Sequence, residues 1–112
     1  MNNLVFIDDR KGWEFVSEGV KRKIIGYNKD LMMVRIKFEK GAHVQAHHHP
    51  HVQCSTVESG KFRVIIGDTE HMLGKGDGFF IPSEVFHEVH ALDEGIIIDT
   101  FHPYREDFIK KT

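Results

Sequence analysis

The sequence is poor in cysteine and proline, has no long apolar run, and carries no surplus of either charge. Each scarcity excludes something. With Cys54 as the one cysteine, an internal disulfide is impossible, and so is a structural zinc site built on several thiolates. No stretch approaches the roughly 18 apolar residues of a membrane-spanning helix. Met1-Asn2-Asn3 meets Asp8, Asp9 and Arg10 within a few residues, which leaves no room for the apolar core of a secretory leader. Fifteen basic residues face 17 acidic ones, for a formal net charge of −2, so the overall balance does not favour nucleic acid. The one basic cluster, Lys21-Arg22-Lys23, is short, has Glu14 and Glu18 nearby, and reads as a solvated strand end. A cytoplasmic protein with no nucleic-acid or membrane partner is the expectation.

What is present is histidine. Nine of 112 residues are His, several times the usual share for a chain of this length. Histidine is the commonest protein metal ligand, so the excess makes the placement of the rings the central question. At this length and with 40% apolar residues, one globular domain spanning residues 1–112 is expected.

Strand patterns dominate. In Leu31 to Glu39, Met32, Val34, Ile36 and Phe38 fall on one face, and Arg35, Lys37 and Glu39 on the other, the alternation of a half-buried strand. Residues 61–66 and 96–101 are rich in β-branched and aromatic side chains. Turn residues recur at 27–30, 39–41, 58–60, 67–68, 74–78 and 93–95, a rhythm that predicts a sandwich or barrel rather than βαβ units. Only the tail reads as helical, with Pro103 at a first helical position, then Glu106 and Asp107, then Lys110 and Lys111, a charge order that suits a helix dipole.

The run from Gly41 to Gln53 concentrates the chemistry. Residues two apart on a strand share a face, about 6.5–7 Å apart along the chain. His47 and His49 can then aim at one point, and Gln53 has the same parity beyond a bend expected at Pro50. His87 is the fourth candidate. Three imidazoles and an amide oxygen suit one borderline divalent ion (Zn, Ni, Fe, Mn or Co) rather than Ca or Mg, which prefer oxygen. Spacing alone leaves plainer readings open, since a lone strand His is commonly ordinary and a His-rich loop can chelate metal adventitiously. His48 and His51 suit supporting or solvent positions, while His43, His71 and His90 read as surface. Cys54, with parity opposite to Gln53, reads as a small buried apolar residue.

These segments resemble the paired motifs of the cupin superfamily. Gly41, His47, His49, Gln53 and Gly60 fall at the spacing of its first motif (41–60), with Gln where Glu is commoner. Gly76, Pro82 and His87 fall at that of the second (76–91), with Glu84 replacing a Gly and Ala91 an Asn. The resemblance implies an all-β fold, a single-domain double-stranded β-helix or jelly-roll barrel with a short C-terminal helical turn. It also implies a metal held by His47, His49, Gln53 and His87. With Gln for Glu the ligand set is neutral, which leaves the ion its full charge and makes it a stronger Lewis acid.

The run from His47 to Gln53 and the ending Ile98-Asp99-Thr-Phe101-His-Pro103-Tyr-Arg105-Glu106-Asp107-Phe108 further resemble the small pectin-degradation cupins of the KdgF type, which convert unsaturated monouronates into linear ketonised sugars. That resemblance implies catalytic roles for Asp99, Phe101 and Arg105: a carboxylate acid–base, an apolar wall for a sugar face, and a fork for a substrate carboxylate. Asp99 merely finishing a strand, and Arg105 pairing with Glu106 or Asp107 on the surface, stay open as plainer alternatives. The expected partners are a small-molecule sugar acid and a second copy of the chain, a homodimer formed through N-terminal edge strands. Two other functions stay open. An Fe- or Mn-dependent dioxygenase-type cupin would consume oxygen. A non-catalytic sugar- or metabolite-binding cupin would bind without turnover.

Overall fold

In the computed structural model, which describes residues 4–109, ten strands form two antiparallel sheets that face each other as a jelly roll. The strands are β1 (Glu14–Ser17), β2 (Val20–Tyr27), β3 (Met32–Phe38), β4 (His43–His47), β5 (Val52–Ser59), β6 (Lys61–Ile66), β7 (Thr69–Gly74), β8 (Gly78–Ile81), β9 (His87–Ala91) and β10 (Gly95–His102). One sheet runs β1-β2-β3-β10-β5-β8 and the other β4-β9-β6-β7. Among the described residues, no helix is long and apolar enough to cross a membrane.

Alternation sets the interior. On β3, Met32, Val34 and Phe38 are buried, as the period-2 pattern predicts. On β10, Gly95, Ile97, Asp99 and Phe101 point inward, and their β5 partners on one side are Val57 (opposite Ile97), Ser55 (opposite Asp99) and Gln53 (opposite Phe101). The interior is therefore layered. At one end, Val20, Phe38, Val57, Phe62, Val64, Val89, Ala91 and Ile97 form an apolar plug. Within it the Phe38 and Phe62 rings meet edge to face, 5.2 Å apart, and join the two sheets. Toward the other end the same strands turn polar, with Ser55, Asp99, Gln53 and His87 all buried. Burying each large apolar side chain of the plug contributes about 1.5–3 kcal/mol, and this stability holds the polar layer in place.

Two expectations need correction. The basic cluster on β2 is not a solvated strand end. Lys21 is exposed, but Arg22 alternates with Val20 and Ile24 and faces inward, its side chain 15% exposed. Lys23 is buried on the outer face, where its ammonium donates to the Asp8 carbonyl at 2.8 Å and carboxylate at 3.1 Å and lies 4.6 Å from the Trp13 ring. Nor does Pro103 open the tail helix. It lies in a bend before α1 (Glu106–Ile109), whose first turn carries Glu106 and Asp107; Lys110 and Lys111 lie outside the described residues.

The β5–β6 turn and the start of β10 pack glycine on glycine. Gly60 has φ +86°, and a Cβ on Gly95 would lie 2.3 Å from the Ser59 carbonyl oxygen and 2.9 Å from Gly60 Cα. Backbone on both sides leaves no flexible group to yield. Gly95→Ala is therefore expected to lower the unfolding free energy by about 2–3 kcal/mol, read by urea denaturation. An unchanged midpoint would contradict this packing.

Candidate metal centre

His47, His49 and His87 come together where the two sheets open, each offering a ligand atom within 4.8 Å of the others. Their routes differ. His87 begins β9 and points inward by ordinary alternation with Val89 and Ala91. His47 ends β4, where Val44 pairs with Val89 and His47 with His87, three residues against two. That bulge reverses the parity that strict alternation from Val44 would give, and it turns His47 inward. His49 is not on a strand at all. It lies in the loop before β5, buried, with its carbonyl held at 2.8 Å by the Glu84 amide. The expected convergence is present, but a bulge and a loop produce it instead of one continuous strand.

Backbone carbonyls orient all three rings. The Nδ1 atoms of His47, His49 and His87 lie 2.9, 3.0 and 2.9 Å from the carbonyl oxygens of Gln45, His51 and Val85. A carbonyl can only accept, so each neutral ring carries its proton on Nδ1 and turns the Nε2 lone pair toward the common focus. Burial depresses the His87 pKa to about 4 and lowers that of His49, with the Arg105 charge as the next cause for His49. Both rings are thus neutral near pH 7.

Gln53 completes the group from β5. Its Oε1 lies 3.1 Å from His49 Nε2, while its Nε2 donates to Ser55 Oγ at 3.1 Å and Asp99 Oδ1 at 3.2 Å. Flipping the amide would set its oxygen against the Asp99 carboxylate, so Asp99 determines which end of Gln53 faces the histidines. With its proton on Nδ1, His49 then presents a lone pair to the lone pair of Gln53 Oε1. His87 Nε2 is buried and has no hydrogen-bond partner among the described residues. Converging acceptors without a donor fit a cation, and three imidazoles with a neutral amide oxygen fit a borderline divalent ion.

Asp99 is 6% exposed and accepts from Ser55 Oγ at 2.5 Å as well as from Gln53, both on Oδ1. Burial raises its pKa to about 6, against the opposing pull of these hydrogen bonds and of the Arg105 charge. Beside it opens a cavity of about 620 Å³ whose wall includes His47, Gln53, His87, Asp99, Phe101 and Arg105. Asp99 and Phe101 share the inner face of β10, as their parity predicts. Arg105 faces the same cavity, 14% exposed, while its Nε and Nη2 bind Asp107 at 3.1 and 2.9 Å. The surface pairing and the cavity position, posed as alternatives, hold together.

Other cavity residues were given no site role by sequence reading. Arg22 and Phe108 also line it, and the Arg22 and Arg105 guanidinium carbons lie 3.8 and 4.3 Å from the Phe108 ring centre. The inward alternation of Val20, Arg22 and Ile24 was the available signal for Arg22; Phe108 closed the tail segment that carried the resemblance but had no parity to place it, because its position depends on how the tail folds back.

The remaining residues flank the site. His51 supports it, through its carbonyl to His49 and its Nε2 at 3.0 Å from the Tyr104 carbonyl. His48 is exposed and meets the Glu84 carboxylate at 2.9 Å. His43 and His71 are exposed and His90 half-buried. Glu84 has φ +65°, which explains the glycine common at that motif position. Cys54 is exposed, contrary to expectation: parity opposite to Gln53 puts it on the outer face of β5, away from the core.

A fold of facing antiparallel sheets with this histidine group at its opening defines a class. Residues 34–100 match the Cupin domain family model, and the chain belongs to the cupins, within them to the family of the KdgF pectin degradation proteins. It is 43% identical over 106 residues to the pectin degradation protein KdgF of Dickeya dadantii, covering 93% of this chain and 96% of that one. Two solved structures superpose closely. The structure of KdgF from Halomonas sp. gives a TM-score of 0.90 at 36% identity, over 93% of this chain and 96% of that one. An RmlC-like cupin from Shewanella frigidimarina gives 0.92 at 40%, over 94% and 95%.

The Ser55 hydroxyl donates to Asp99 and accepts from Gln53 inside the barrel. Removing it in Ser55→Ala is expected to cost about 1–2 kcal/mol in chemical denaturation, because both partners stay buried with one bond fewer.

Proposed function

We propose that the chain is a metal-dependent enzyme that opens and ketonises 4,5-unsaturated monouronates of the kind released by pectin or alginate breakdown. The observation that carries this reading is the meeting of three groups at one cavity: a neutral donor set, a buried carboxylate and an arginine. The relatives named for pectin degradation supply the substrate class.

His47, His49 and His87, with Gln53 Oε1, would hold one divalent ion. When bound, that ion supplies Lewis-acid polarisation of sugar oxygens, undiminished by any ligand charge. Because Gln53 and Ser55 both occupy Oδ1 of Asp99, Oδ2 is left for the substrate. Asp99 takes the proton of the anomeric hydroxyl; the released electron pair forms the C1 carbonyl, and the bond from C1 to the ring oxygen breaks. The ring oxygen then belongs to an enolate across C5 and C4. Asp99 returns its proton to C4, and C5 becomes a ketone, so the change is an isomerisation with no co-reactant. Phe101 offers its ring as an apolar wall, 5.8 Å from the His49 ring, and Arg105 offers charge and its Nη1 hydrogens to the substrate carboxylate.

His87→Ala is expected to lose the metal, measured as metal per chain after purification. Asp99→Asn is expected to keep metal while turnover falls by about 10²–10⁴-fold. Chelation should abolish activity, and returning the ion should restore it. Turnover is read as loss of the ultraviolet absorbance of the conjugated double bond, corrected for the spontaneous rate. Failure of the metal-loaded wild type to accelerate that loss would falsify the proposal.

A further inference from the structure

We propose that Arg22, on the inner face of β2, is a binding residue for the carboxylate of an anionic sugar ligand, with Phe108 as the platform it shares with Arg105. This rests on the uronate reading and gives its substrate carboxylate a specific place.

Arg22 and Arg105 approach the cavity from opposite ends of the chain and meet on one ring. Their side chains are 15% and 14% exposed, and both line the cavity. Their acidic partners do not: neither Glu14 nor Asp107 is part of its wall. Each acid thus holds its arginine from outside the cavity. The two arginines are held differently. Asp107 takes the Nε and Nη2 edge of Arg105 bidentately, whereas Glu14 binds Arg22 through Nε at 2.6 Å. The Arg22 hydrogen bond to Glu14 therefore leaves its paired Nη groups, the planar fork that matches a carboxylate. The carboxylates on the wall are Glu18, which is exposed, and Asp99, which is buried with its Oδ1 bonded to Gln53 and Ser55. A uronate that lays its ring oxygens toward the histidines would carry its carboxylate to the arginine end.

Glu14 and Arg22 are also paired across β1 and β2, so a purely structural staple is the competing account. Galacturonate, which lacks the double bond and is not turned over, and its neutral counterpart galactose distinguish the two when titrated calorimetrically into the metal-loaded protein. Wild type is expected to prefer the acid by about tenfold or more, and Arg22→Gln to lose most of that preference. Glu14→Gln removes the competing negative charge, although its amide oxygen can still accept from Nε, so the preference should hold or grow. Arg22→Lys keeps charge without the fork; it should fall between wild type and Arg22→Gln, and it carries the test if Arg22→Gln does not fold. Equal loss in Glu14→Gln and Arg22→Gln, or no acid preference in the wild type, overturns the proposal. With the unsaturated uronate, Arg22→Gln should raise KM by about tenfold and leave kcat within a few-fold. Acid binding through Arg22 without ring opening would remove the proposed reaction and leave this site standing. Turnover with an unchanged KM in Arg22→Gln would do the reverse.

Discussion

Three imidazole lone pairs facing one another inside a barrel are an electrostatic liability, and the architecture around them serves to keep them there. Each ring is turned by a hydrogen bond from Nδ1 to a carbonyl two residues away, so the backbone itself selects the tautomer. Burial keeps His49 and His87 neutral, because a protonated ring there would lose solvation and repel its neighbours. The result is a preorganised set of donors with no hydrogen to share among them, which is the condition under which a divalent ion binds without rearranging the protein.

Gln53 extends this constraint to the chemistry. Its amide has two different ends, and the hydrogen bonds to Asp99 and Ser55 decide which end faces His49. Asp99 thus fixes the orientation of a neutral donor through Oδ1, while Oδ2 takes part in neither of these bonds. The coupling also explains the position of β10. It lies between β3 and β5, so one strand carries the plug residue Ile97, the carboxylate Asp99 and the wall residue Phe101 at successive inward positions. A register shift on this strand would displace all three together.

The tail closes the same cavity from the chain's far end. Phe108 meets Phe101 edge to face at 5.8 Å and carries the guanidiniums of Arg22 and Arg105 near its ring. Residues from the second strand and from beyond the last one therefore meet at the cavity, so its arginine end is built from both β2 and the segment after β10.

Strand alternation, turn rhythm and the histidine motif were legible in the chain before it folded, because these depend on neighbours a few residues apart and on the period of an extended chain. The resemblance to the cupin motifs, more than spacing, named His47, His49, Gln53 and His87 as one set, and the parity of Asp99 and Phe101 put both on one face. Tertiary structure decided what local pattern does not encode. A bulge turned His47 inward, a loop rather than a strand delivered His49, and Cys54 and Lys23 exchanged their expected environments, since burial on the outer face depends on what packs over it. Arg22 looked like one of three solvated charges until the fold set it opposite Arg105. Contacts between residues more than eighty positions apart follow from how the sheets close, and no short-range periodicity contains them.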